Sequence, residues 1–358
     1  MEDFISIAVT SFSNFLTENK SRIKEQSPAN VLVSFAIAIN DFPVYERINH
    51  LTKHYERSFY FEKPEENFFI FGADEAFIIS ENGDRRFSAI DKKIKSLKGF
   101  FVNNWDTLPV KNIPLFLGGI TFTVEPNETD WQDYNDSSWF VPEIMVLGSG
   151  ESKYLFFNFL TTGTQEKVII HKFQAKLEKL LTAEAPKIKP GIVKISTSSG
   201  DTPKDKKKWK QLVEEALQRI SENHIEKVVL SRKVELLLSG ELDFNSIIGK
   251  LRSNYPGCYI FVYHRGKSSF FGASPEMLAD FTDGSVVIDA LAGSAPRGKT
   301  AEEDNNIEKE LLSDNKNLHE HDIVAEHIKR ALSGTAENIV TEKQYSIKKL
   351  ANIQHIWS

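Results

Sequence analysis

Two short tracts hold side chains suited to proton transfer. EKVVLSRK (226–233) has the pattern of a β-strand. Alternation would send Lys227, Val229, Ser231 and Lys233 to one side and Val228, Leu230, Arg232 and Val234 to the other. A lysine flanked by buried positions loses solvation, which lowers its pKa and suits it to act as a base. The same residue at a strand end would instead reach back to solvent. GASPEMLADF (272–281) places Glu276 directly after Ser274-Pro275, a rigid turn at the end of a strand. Such turns present side chains where ligands gather, although a solitary loop glutamate is commonly just solvated. Lys227 and Glu276 on opposite sides of one substrate would form a base and acid pair.

LAGSAPRG (291–298) adds a candidate ligand floor. Gly293 and Gly298 permit unusual backbone angles and close approach to a ligand, Ser294 offers a hydroxyl, and Arg297 is suited to a carboxylate. The bland alternative is a Gly/Pro turn with a surface arginine. SDNKNLHEHDIVAEH (313–327) looks metal-binding, but it lacks HExxH, and His319 and His321 diverge on a helix. That disfavours a three-ligand zinc site. A lone carboxylate serving magnesium through water fits better, because this ion keeps its waters and needs few protein ligands. There is no GxSxG, GxGxxG or GxxxxGK[ST], and the single cysteine, Cys258, lies in the strand-like CYIFVYH, where it reads as buried and inert.

The elements that must position these groups are legible as an alternation of apolar runs. NVLVSFAIA, FFIFGA, AFIIS, GGITF, WFVPEIMVL, KYLFFNFL, EKVVLSRKVELLL (226–238), CYIFVYH, and parts of SSFFGASPEMLADF and SVVIDALAGS read as strands. The first thirty residues, 167–183, LDFNSIIGKLRSN and about 303–333 read as helices. Thr202 is placed to cap a helix with Pro203 at its first position and Trp209, Val213, Ala216 and Ile220 on one side. Many strands with well-separated helices predict an α+β chain with large, mostly antiparallel sheets. The polar stretch 184–206 divides it into 1–185 and 203–358. FFIFGADEAF (68–77) echoes SSFFGASPEM (268–277), as if both halves supplied similar hairpins.

Composition narrows the partners. The chain has 358 residues, a formal charge of −6 and no basic block, which argues against nucleic acid. No apolar run approaches a membrane span, the N-terminus lacks the pattern of a secretory signal, and a lone cysteine suits a reducing compartment; the expectation is a cytoplasmic protein.

KVVLSR, FFGASPE, DALAGSAPRG, a helix carrying DNK and EH, and IQH follow one another in one order. Together they resemble the chorismate-utilising enzymes: isochorismate synthase, salicylate synthase, and component I of anthranilate and aminodeoxychorismate synthases. FLGGITF (116–122) and WFVPEIM also resemble that family's amino-terminal half. Within it, Lys227 and the ALAGS tract with Leu291 resemble the isochorismate type, and salicylate synthases share the lysine. The resemblance implies chorismate as substrate and Mg²⁺ as cofactor. Lys227 would activate water for attack at C2, and Glu276 would protonate the departing 4-hydroxyl. Glu320 would help hold the metal, Gly293 and Ser294 would contact the ring carboxylate region, and His355 would lie near the departing hydroxyl. Leu291 and Arg297 would complete the substrate floor.

The product would feed menaquinone or siderophore synthesis. A monomer without a glutaminase partner is expected. Ser294 stands where the family pattern has threonine, which keeps the hydroxyl. The family pattern also continues past the QH pair with further strands and a second metal-binding glutamate. Their absence predicts exposed sheet edges, low stability and a chain that is inactive alone. The rival readings are a salicylate synthase, another chorismate-using synthase, and an inactive chorismate-binding protein.

Overall fold

The computed structural model describes residues 2–25, 31–39, 55–97, 101–110, 113–124, 131–161, 165–182, 194–341 and 345–358. They fall into two compact units, one of residues 1–185 with 248–358 and one of residues 186–247.

In the first unit the chain opens with helices α1 (Glu2–Glu18) and α2 (Lys20–Glu25). Strands β1 (Leu32–Ala38), β2 (Arg57–Lys63), β3 (Phe68–Ala73) and β4 (Phe77–Glu81), helix α3 (Arg86–Leu97), and strands β5 (Phe101–Asn103) and β6 (Leu117–Ile120) follow. The expected WFVPEIMVL strand is two strands, β7 (Ser137–Val141) and β8 (Ile144–Ser149). Pro142 divides them because proline cannot donate to a ladder. β9 (Ser152–Leu160) and α4 (Glu166–Thr182) complete this stretch.

In the second unit β10 (Ile195–Ser199) pairs with β11 (Glu235–Leu238), and α5 (Pro203–Ser221) lies between them in sequence. The Thr202 hydroxyl accepts from Asp205 N–H (3.2 Å) and the Asp205 carboxylate accepts from Thr202 N–H (3.0 Å), a closed capping box. Trp209, Val213, Ala216 and Ile220 are all half-buried, as their spacing predicts. The expected strand over 226–238 is corrected to 235–238. No described strand pairs with 226–234, and β-propensity without a ladder partner does not hold a strand.

The division between the units falls within α6 (Phe244–Asn254), after which the first unit resumes with the hairpin β12 (Tyr259–Arg265) and β13 (Ser268–Ser274). Short strands β14 (Asp280–Thr282) and β15 (Ser285–Val287) pair with each other. β16 (Leu291–Pro296), α7 (Ala301–Ser313), α8 (Asn315–Leu332), β17 (Ser346–Lys349) and β18 (Ile353–Trp357) close the chain. The single helix expected over 303–333 is broken at Asp314, whose carboxylate accepts from the Lys316 (2.8 Å) and Asn317 (3.2 Å) amides and so starts α8.

The core lies on an eight-stranded sheet ordered β13-β12-β2-β3-β8-β9-β1-β5, antiparallel except for β1 with β5. This is the α+β architecture that the strand count predicts. The two echoing tracts are β3 and β13. Each belongs to a hairpin, and the two hairpins join through the β2–β12 ladder. A ring cluster anchors the helices to this sheet: Phe12 of α1 lies 4.7 Å from Phe173 of α4 and 5.1 Å from Phe35 of β1, ring centre to ring centre. A separate three-stranded sheet, ordered β16-β18-β17, carries the tracts of chemical interest, with α8 packed on β16 and β18.

Candidate active site

β18 is the central strand of this small sheet, and its alternation defines two faces. Gln354 and Ile356 are fully buried on one face. Ile353, His355 and Trp357 point to the other. In register, Ser294 of β16 and Lys348 of β17 both oppose His355. One row across three strands therefore reads Ser294, His355, Lys348. The Ser294 hydroxyl and His355 Nδ1 are 2.7 Å apart, a hydrogen bond between two residues 61 apart in sequence. Burial, and then the charge of Lys348, push the His355 pKa below its usual value, so the imidazole is neutral near pH 7.

Gly293 is the extra residue of a β-bulge between Ala292 and Ser294. Its φ of +77° favours glycine, and an added Cβ would lie 3.0 Å from Ile356 Cδ1 and 3.2 Å from Asn317 Cβ. What approaches it closely is α8. Gly298 is close to the first turn of α7, where a Cβ would collide with the backbone of Asp304. Arg297, expected in the substrate floor, is paired instead with a carboxylate of the chain itself, that of Asp304. Nε and Nη2 donate to its two oxygens at 2.7 and 2.9 Å, and Nη1 donates to Leu350 O. Gly298 N–H and Lys349 Nζ donate to the same carboxylate at 2.9 and 3.0 Å. Arg297 is thus a clamp between β16, α7 and the turn before β18. Leu291, half-buried, opposes Trp357 at the start of β16.

Glu276 is exposed in the loop after β13, as the Ser-Pro turn predicts. Ser274 Oγ donates to Glu276 O at 3.2 Å. The Asp289 carboxylate accepts from Lys348 Nζ (2.9 Å) and Trp357 Nε1 (2.8 Å), beside His355 on the small sheet. Sequence reasoning gives no role to Asp289, Lys348 or Trp357. A signal was present, since Asp289 opens the DALAGS tract and Trp357 alternates with His355.

Glu320 is half-buried on α8, one turn beyond Asn317, the residue that meets Gly293. Its neighbour His321 is buried, with Nε2 2.9 Å from Ser358 Oγ. No cluster of three or more His, Cys, Asp or Glu side chains with metal-holding geometry exists among the described residues. Glu320 as a single hard oxygen donor still fits magnesium, which binds through one or two carboxylates and retains water. Lys227 belongs to the second unit, in the irregular stretch before β11, and is exposed. The buried flanks expected of it are absent: Val228 is 41% and Val229 80% exposed.

The chain is similar to known proteins along most of its length. A family model described as chorismate binding enzyme matches residues 16–358. The isochorismate synthase MenF of Bacillus subtilis (strain 168) is 25% identical over 336 residues, covering 92% of this chain and 70% of its own. The salicylate biosynthesis isochorismate synthase of Pseudomonas aeruginosa is 28% identical over 305 residues, covering 83% of this chain and 61% of its own. The solved structure of the menaquinone-specific isochorismate synthase MenF of Escherichia coli superposes with a TM-score of 0.70 over 97% of this chain and 74% of its own, at 17% identity, a likeness of fold. Among the described residues, no helix is long and apolar enough to cross a membrane. With the family model reaching across all but the first fifteen residues, the chain belongs to the chorismate-binding enzymes.

Proposed function

We propose that this chain acts as an isochorismate synthase, isomerising chorismate reversibly with the help of Mg²⁺. The observation that carries the reading is the shared face of the small sheet. A hydroxyl and a neutral imidazole meet there, with a carboxylate, Asp289, beside them. The names of the relatives support the same reaction.

Water is a poor nucleophile and hydroxide a poor leaving group, so the reaction needs a base and an acid. In this reading Lys227 takes a proton from water as its oxygen bonds to C2. The ring double bonds shift, the C4–oxygen bond breaks, and Glu276 gives the leaving hydroxyl its proton. His355, neutral and bonded to Ser294, orients that hydroxyl. Gly293 and Ser294 hold the carboxylate region, and Arg297 keeps the bulge in place through Asp304. Glu320 would hold the magnesium ion, which when bound supplies charge neutralisation for the ring carboxylate.

The test is to incubate the purified protein with chorismate and magnesium and to resolve the products by chromatography. Isochorismate is the expected product. Salicylate with pyruvate would move the chain to the salicylate synthases. Chorismate binding without any product would leave a binding protein in place of an enzyme.

A further inference from the structure

We infer that a cavity at the Arg57 end of the large sheet is a second ligand site, one that takes a small oxyanion, a carboxylate or a phosphate, on Arg57 and Arg265. The inference stands apart from the chorismate reading, because none of the residues used there lines this cavity.

The register of the large sheet brings the two arginines together. Arg57 opens β2, Arg265 closes β12, and they are direct partners in the ladder between these strands. Like charges placed opposite each other in a ladder destabilise it. Both side chains turn to one hydroxyl, that of Ser138 on β7. Arg57 Nη1 donates to it at 3.3 Å and Arg265 Nη1 at 3.4 Å. Both bonds are long, and a neutral hydroxyl does not compensate two cations.

Arg57 is 4% exposed. Its Nε lies 2.6 Å from a Glu75 carboxylate oxygen, and its guanidinium carbon lies 5.4 Å from the centre of the Phe140 ring. The group is thus held in place before any ligand arrives. Arg265 is half-buried and has no carboxylate within ion-pair distance among the described residues.

The cavity beside them measures about 640 Å³, room for a small organic molecule. Its other cations are already paired on the side of α4: Lys172 with Glu143, and Lys176 with both Asp74 and Glu143. Glu56 also lines the cavity, but it is exposed and forms no ion pair with either arginine. The charge left without a counterpart is therefore positive and lies at Arg265, next to Arg57. Planar guanidinium forks match the paired oxygens of carboxylate and phosphate. An oxyanion between them would replace like-charge repulsion with charge-assisted hydrogen bonds.

The test is to titrate the full chain with inorganic phosphate and, separately, with succinate, following the melting temperature at constant ionic strength against chloride. At least one of the two anions should raise it saturably beyond chloride, since a ligand that binds only the folded state stabilises it. A rise with phosphate alone would assign the site to phosphate esters, and a rise with succinate alone to carboxylates. Arg265→Gln should weaken the apparent affinity ~10-fold or more. The same variant should melt higher than the parent without anion, because the like-charge pair is gone. Lys172→Gln removes an equal charge from the same wall and should keep the affinity within about twofold, because Lys172 is already paired and half exposed.

A response to both anions no larger than that to chloride would overturn the site. So would an affinity retained in Arg265→Gln, or one lost equally in Lys172→Gln, which would mark general charge attraction. If Arg265→Gln does not fold, Arg265→Lys decides in its place: it keeps the charge, loses the planar fork, and should bind the anion more weakly than the parent. Chorismate turnover is not read, so failure of the catalytic reading leaves this test intact.

Discussion

Glu276 and Lys227 divide the proposed proton transfers, so each can be removed separately. Glu276→Gln keeps the shape and loses the proton, and Lys227→Met keeps the stem and loses the base. Each should lower kcat by ~10²–10⁴-fold while chorismate still binds, measured by initial rates and calorimetry. A loss under about tenfold would remove that residue from the acid–base role. Arg297 makes a different prediction. Its hydrogen bonds, then the Gly298 amide and Lys349, hold the Asp304 carboxyl well below its ordinary value of 3.8. That carboxylate stabilises the fold fully above its unfolded pKa and loses the effect as pH falls through the folded one. Arg297→Ala should therefore lower the melting temperature at pH 7, and the gap from the parent should narrow below pH 3.8. A gap constant from pH 7 to pH 2 would contradict the clamp. The arginine between two glycines suggested a ligand's carboxylate, not one of the chain's own. That the partner is Asp304, seven residues on in α7, was not legible. Asp289 was less legible still, because its partners Lys348 and Trp357 lie 59 and 68 residues away and meet it only through the sheet register.

At the scale of elements, the aromatic and β-branched runs marked the strands well because most of them have a ladder partner and a buried face. Phe68–Ala73 matches its sequence run residue for residue and pairs on both sides. The 226–234 run fails for the complementary reason: its composition favours a strand, but partners are set by chain segments that local pattern does not contain. Pro142 and Asp314 show a third case, where one residue ends an element inside an otherwise continuous pattern. Helix α1 illustrates how packing completes what periodicity starts. Phe12 is fully buried and touches rings of β1, β9 and α4. Removing it leaves a cavity bounded by aromatic rings with little room to relax. Phe12→Ala should cost ~3–5 kcal/mol, read by denaturant unfolding, and a cost below about 1 kcal/mol would mean that α1 does not contribute to the cooperative core.

At the scale of the whole molecule, composition foretold enough apolar residues for a large core but not which of them would remain outside it. The loop that carries Glu276 continues into Leu278, and Phe281 follows on β14; they are 90% and 76% exposed. Single exposed apolar side chains are ordinary, whereas neighbouring ones on one loop form a patch that water solvates poorly. Both follow the acid in sequence and are exposed, so they are replaceable without opening the core. The double variant Leu278→Ser with Phe281→Ser should therefore bind an apolar dye about twofold less and show weaker concentration-dependent association by sedimentation. Dye binding and association equal to the parent's would show that the two side chains do not act as one apolar patch.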